Sequence, residues 1–239
     1  MSPTSDPYSL IPVPPPSPDD QHDNAEALYI DMILIHNVLI VGFNSIAVNA
    51  PLVRPGDEYA FAGYSLACTE LVHTHHDGEE SILFPFLQTK LDMSHNQEQH
   101  EAFGSGMAAF ETYMRSVQSK TETYNKEKVQ KLLNDFADIL VQHLHDEIST
   151  ITPEKLRTVD QAGFAKALKD HEAYAKSHPG LFTIFPFVMV HHDHKATPNW
   201  PPIPAPLRWF ARNIAGLRHP SYWKFAPYKF NGDVQVYAS

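Results

Sequence analysis

The chain has 239 residues, 43% of them hydrophobic, enough for one large domain or two small ones with a real core. With 18 Lys and Arg against 28 Asp and Glu the net charge is −10, a field that repels phosphate backbones and anionic lipid, so nucleic acid and membrane surfaces are not expected partners. Cys68 is the single cysteine, which excludes an internal disulfide framework and a thiolate zinc site and fits a reducing, cytoplasmic setting.

In chain order, residues 1–24 ("MSPTSDPYSLIPVPPPSPDDQHDN") are rich in proline and acid, without the basic start and unbroken apolar run of a secretory leader, and are expected to form a disordered, extended arm. From Ala25 the pattern turns helical. "AEALYIDMILIHNVLIVGFNSI" is apolar over a broad face and halts near Pro51. Its core, "MILIHNVLIVGF", and the later "LFTIFPFVMV" are too short or interrupted for a bilayer span of about 20 apolar residues. A second helix opens at "GDE" and is predicted to stop at Pro85, a third covers "NQEQHEAFGSGMAAFETYMRSV", and a fourth covers "TYNKEKVQKLLNDFADILVQHLHDEIST" up to Pro153. Four long amphipathic helices with short connections predict an all-α, antiparallel four-helix bundle over residues 25–155.

Residues 156–239 have a different character. "DQAGFAKALKDHEAYAKS" reads as one more helix, "NWPPIPAP" is held extended by its prolines, and "LRWFARNIAG" is a short helix with Gly216 as a stop. Trp209, Phe210, Tyr222, Trp223, Phe225 and Tyr228 are too many aromatics to leave in water, so this tail is expected to cap the bundle.

The chemistry lies in a repeat. "HHDGEESILFP" (75–85) and "HLHDEISTITP" (143–153) share one skeleton of His, Glu four residues on and Pro six further: His75, Glu79, Pro85 and His143, Glu147, Pro153. Residues four apart on a helix share a face, so each pair presents an imidazole and a carboxylate to one point. Lone histidines on the first and third helices, His36 and His100, complete two helix hairpins of the same design. Taken alone, a buried His36 reads as a hydrogen-bonded core residue; two equally spaced pairs in one bundle do not reduce to that. Four imidazoles and two carboxylates suit a pair of transition ions, iron, manganese or zinc, and not the oxygen-rich sites of calcium or magnesium. His95 competes with His100, but residues five apart face different ways.

The order His36, "HHDGEESILFP", "QHE" around His100 and "HLHDEISTITP" resembles the hemerythrin-like (HHE cation-binding) family over roughly residues 25–155, and the aromatic extension resembles fungal members of that group. The resemblance implies a non-haem di-iron centre in which His36 and His75 bind one iron, His100 and His143 the other, and Glu79 and Glu147 bridge them. Where oxygen-carrying members have a fifth histidine, this chain has Gly104, with Gly106 nearby, which implies an open coordination position. His76, Tyr64 and Glu58 are candidate substitutes. His76 and Glu80 otherwise read as groups behind the ligands, His73 and His145 as surface residues, "HHDH" (191–194) as a loop and Cys68 as a small buried hydrophobe.

No nucleotide-binding loop, nucleophile triad or flavin fingerprint is present. The expectation is a dioxygen-activating oxidoreductase acting on a small organic molecule, with electrons from that substrate or a separate donor. The alternative is reversible binding of dioxygen or nitric oxide, or iron binding and sensing, without catalysis.

Overall fold

The computed structural model describes residues 6–15, 22–178 and 180–237. The first helix, α1 (Asn24–Asn49), is capped by Asp23, whose side chain accepts from the Glu26 N–H, and tightens into a 3-10 turn at Ala50–Leu52. It is followed by α2 (Glu58–Gly78), a π turn (Glu79–Leu83), α3 (Phe84–Leu87), α4 (Ser94–Gln118), α5 (Lys126–Asn134) and α6 (Ala137–Thr150). Helix α1 packs on α2, α2 on α4, α4 on α6 and α6 back on α1, which closes a four-helix ring. The described residues are helical with no strand beyond one isolated bridge, Tyr228 to Val234.

Two helices depart from the sequence expectation. The second does not stop at Pro85 but runs on to Leu87. In a straight α-helix the Pro85 ring would press on the carbonyl four residues back. The wider π turn before it, closed by the Phe84 N–H on the Glu79 carbonyl, removes that conflict and turns Glu79 and Leu83 inward. The fourth helix is broken at Asp135–Phe136. Phe136 is fully buried there against Phe43 and Phe110, ring centroids 5.7 and 5.6 Å away. Gly106 on α4 admits this break: a Cβ on it would lie 2.8 Å from the Phe136 Cβ. Gly106 therefore serves packing against Phe136.

The N-terminal arm is docked over residues 6–15 rather than loose, and the remainder expected to be disordered, residues 1–5 and 16–21, lies outside the described residues. Asn37 and Asn44 on α1 each exchange two hydrogen bonds with the arm backbone, at Ile11 and Tyr8, and Ile11 is buried. His145, expected at the surface, lies half-buried beneath it with Nε2 3.0 Å from the Ser9 carbonyl. With arm, bundle and cap around it, α1 is buried on nearly all sides, which explains an apolar pattern that circles the helix. By length and composition the Asn24–Leu52 segment is long and apolar enough to cross a membrane, unlike the shorter stretch considered from sequence, although over half of its most apolar window is buried in the fold.

After α7 (Pro153–Leu156), helix α8 (Gln161–Ser177) lies across the π turn and α2, α9 (Ile184–His191) packs against α1 and α2, and α10 (Ala205–Asn213) packs on α9. Sequence reading missed α9. It ends in His191, so "HHDH" begins on a helix and not in a loop, and both His191 and His192 are buried. The short C-terminal helix ends at Asn213, with Gly216 inside a following 3-10 turn. The tail covers the bundle by burying Tyr222, Trp223 and Phe225, while Trp209 stays 59% exposed.

Tyr222 locks this cover onto α2. Its ring lies flat against Gly63, where an added Cβ would fall 2.0 Å from Cζ, and its hydroxyl accepts from Gln118 Nε2 at 2.8 Å. Gly63→Ala is expected to destabilise the fold by about 1–3 kcal/mol through overpacking. Urea unfolding would register this as a lower midpoint, and an unchanged midpoint would contradict the contact.

Candidate metal centre

The bundle interior brings His36, His75, Glu79, His100, His143 and Glu147 together from α1, α2, the π turn, α4 and α6, all buried. The histidines converge in pairs: His36 Nε2 lies 3.0 Å from His75 Nε2, and His100 Nε2 lies 2.9 Å from His143 Nε2. Each carboxylate reaches both pairs. Glu79 stands 3.1 Å from His75 and 3.9 Å from His100, and Glu147 stands 3.3 Å from His36 and 3.7 Å from His143.

The proton positions decide what these short distances mean. His36 Nδ1 faces the Leu144 carbonyl at 2.8 Å, His100 Nδ1 faces Glu80 Oε1 at 2.7 Å, and His143 Nδ1 faces Gln99 Oε1 at 3.1 Å. Gln99 donates its amide nitrogen to Asp146 at 2.9 Å, which leaves its oxygen as the acceptor for His143. Each of these three rings therefore carries its proton on Nδ1 and presents a bare Nε2 lone pair inward. Two lone pairs facing one another at 2.9 Å repel unless a cation lies between them. Nitrogens bound at about 2.1 Å to one ion, at right angles, would stand about 3.0 Å apart.

The carboxylates point to the same conclusion. All four oxygens of Glu79 and Glu147 are buried without a hydrogen-bond donor, a costly state for acceptors of this strength. Burial, and then the charge of Glu147, push the Glu79 carboxyl well above the usual carboxylate range. Burial pushes His75 and His76 well below the ordinary histidine value and lowers His143 to about 3, so these rings are neutral and ready as ligands. Buried, partnerless acceptors facing inward lone pairs fit a pair of divalent transition ions.

The sequence offers His76 both as a candidate substitute ligand and as a group behind the ligands. It turns inward with both ring nitrogens buried and unpartnered, its ring centroid 4.3 Å from that of His100 and 5.1 Å from that of His143, which favours the first of the two. It forms one group of possible ligands with Glu79, His100 and His143, while His36, His75 and Glu79 form another. Neighbours on a helix diverge by about 100°. In a bundle open enough for two ions, His75 and His76 can therefore serve one side each. Glu80 stands behind His100, as the acceptor for its Nδ1–H.

The other candidates lie elsewhere. Glu58 accepts from the Gly56 N–H at the start of α2, and Tyr64 pairs with His191 at 2.6 Å. His95 is exposed, His73 is exposed and bound to Glu111, and Cys68 is buried with its thiol pushed up by burial. Gly104, half-buried on α4, has nothing within 4 Å of an added Cβ. Gly104→Ala is expected to stabilise the chain by about 0.5–1 kcal/mol through helix propensity, without changing metal content. A destabilised variant in thermal unfolding would show that the space is needed.

Fold and site define an antiparallel helical bundle with buried histidine and carboxylate groups able to hold metal. Residues 48–154 match the family model for the hemerythrin HHE cation binding domain. The match starts at residue 48, in the last turn of α1, so the place of His36 rests on geometry. A curated relative, "Dimeric xanthone biosynthesis cluster protein R11" of Cryptosporiopsis sp. (strain 8999), is 26% identical over 217 residues, covering 86% of this chain and 80% of the relative. No solved structure matches the chain.

Proposed function

We propose that the chain is a non-haem di-iron protein that works as a dioxygen-dependent oxidoreductase on a small organic molecule. The observation that carries the reading is the set of inward lone pairs of His36, His100 and His143 beside the partnerless carboxylates of Glu79 and Glu147. His36 and His75 would hold one iron and His100 and His143 the other, with Glu79 and Glu147 spanning both; manganese or zinc would satisfy the same donors. Two ferrous ions in such a site supply electrons and open positions for reducing dioxygen.

The chain's own residues do the rest. The Leu144 carbonyl, Glu80 and Gln99 fix three imidazole orientations, and Phe84 and Phe103 shield His100 and His76 from water, with ring centroids 5.4 and 5.3 Å away. A relative named for a biosynthesis cluster supports chemistry on an organic molecule over simple iron storage. Further electrons would come from the substrate or a separate donor protein.

The second reading, reversible binding of dioxygen or nitric oxide, is favoured by His76, which offers the imidazole that Gly104 cannot. Protein loaded with Fe(II) without air, exposed to oxygen and then purged with argon, separates the two. A visible band that argon does not reverse, and that decays faster with an oxidisable organic molecule present, is the expected result. A band that argon abolishes would replace the enzyme with a carrier.

A further inference from the structure

Beside the histidine cluster lies a cavity of about 640 Å³ between the first half of α1, the cap helix α8 and the 197–202 segment. Its walls are mostly apolar, with Leu28 and Leu34 from α1 and Leu168 from α8. Trp200 closes one side, and its indole N–H donates to Asp31 on α1 at 2.7 Å, which sets the ring in place. Volume and lining match those of sites for drug-sized molecules.

The cavity adjoins the metal centre through His171. This residue lines the cavity, and its Nε2 would lie 3.0 Å from a Cβ placed on Gly78, the residue before Glu79. A Cβ at position 78 would crowd this imidazole and the Tyr174 ring, 3.1 Å away, so the glycine lets α8 sit this close to the residue before Glu79.

We propose that this cavity is the binding site for the organic substrate, and that it takes a neutral, aromatic, hydroxylated small molecule. The inference rests on the oxidoreductase reading above. The apolar walls and the indole face select a flat ring system. Asp31 and Glu172 at the lining accept hydroxyl protons and repel carboxylates, in a chain whose net charge is already −10. His171 gives the bound molecule a polar contact on the side toward the metal ligands.

Calorimetric titration of the metal-loaded full chain with 2-naphthol and with 2-naphthoate tests the site. Naphthol is expected to bind at least about tenfold more tightly than naphthoate. Ala175→Trp fills the cavity from an exposed position of α8 and is expected to weaken naphthol binding by about tenfold or more, with metal content unchanged. Leu168→Trp, on the same helix, should act alike. Equal affinity in both variants, a preference for naphthoate, or no binding up to the solubility limit would each overturn the site as described.

Oxygen uptake by the iron-loaded protein should quicken with naphthol in the parent chain and not in Ala175→Trp. Binding without that difference would remove the substrate role. A chain that binds naphthol in this pattern but holds no metal pair would sink the di-iron reading and leave the cavity assignment standing.

Discussion

Glu79→Leu and Glu147→Leu are each expected to lose the metal pair and yet to make the metal-free protein more stable. In the absence of metal both side chains carry buried oxygens that no donor satisfies, and Glu79 is driven toward its neutral form. Replacing such a group by an apolar side chain of similar size removes a cost of about 1–3 kcal/mol. With metal the order reverses. The parent chain gains the binding free energy of two ions, which only the folded state can collect, whereas a variant without the spanning carboxylate retains one ion or none. Metal content by mass spectrometry, with urea midpoints measured in chelator and under anaerobic Fe(II), tests both halves. A variant that still held two irons with the parent spectrum would sink the ligand assignment. A variant weaker than the parent in chelator would show that the carboxylates have donors after all.

That trade-off also explains how much of the site could be read from the chain. His75 with Glu79 and His143 with Glu147 are visible because helical geometry converts a spacing of four into a shared face, and the repeat of that spacing is hard to obtain otherwise. The bundle is visible for the same reason, since its helices are long and periodic. What the spacing hides is rotation around the bundle. His76 follows His75 directly, and periodicity turns it about 100° away; only the width of the interior lets both rings face inward.

Pro85 misleads in a related way, because a proline normally ends a helix and here the backbone widens to pass it. The break at Phe136 is marked in the sequence only by Asn134 and Asp135, turn-prone residues that a helix also tolerates; Phe136 is drawn out of the helix by its pocket between Phe43 and Phe110. His171 lies 92 residues beyond Glu79, since 171 − 79 = 92, and reaches the centre only through the docking of α8. No local pattern announces such a contact.

Acid should separate the metal-free and metal-loaded proteins sharply. Burial keeps His75 and His76 neutral well below the usual value and His143 neutral to about pH 3, while the unfolded chain takes up these protons near pH 6.5. Between those limits the unfolded state binds more protons, so stability falls as the pH drops. Glu79 acts oppositely. Its raised value means the folded state holds a proton that the unfolded chain, with a carboxylate near 4.3, has released, so its contribution is present in acid and lost as the pH rises. Three histidines work against one carboxylate, so the histidines set the sign and stability falls as the pH drops below the ordinary histidine value. The metal-loaded chain differs, because its imidazoles are already neutral and must be protonated against bound ions before the fold is undermined. Far-ultraviolet circular dichroism followed downward in pH, with and without chelator, should place the metal-free transition above the metal-loaded one. Coincident transitions would show that these histidines do not bind metal, and a metal-free chain unchanged down to pH 4 would show that they are not buried as neutral rings.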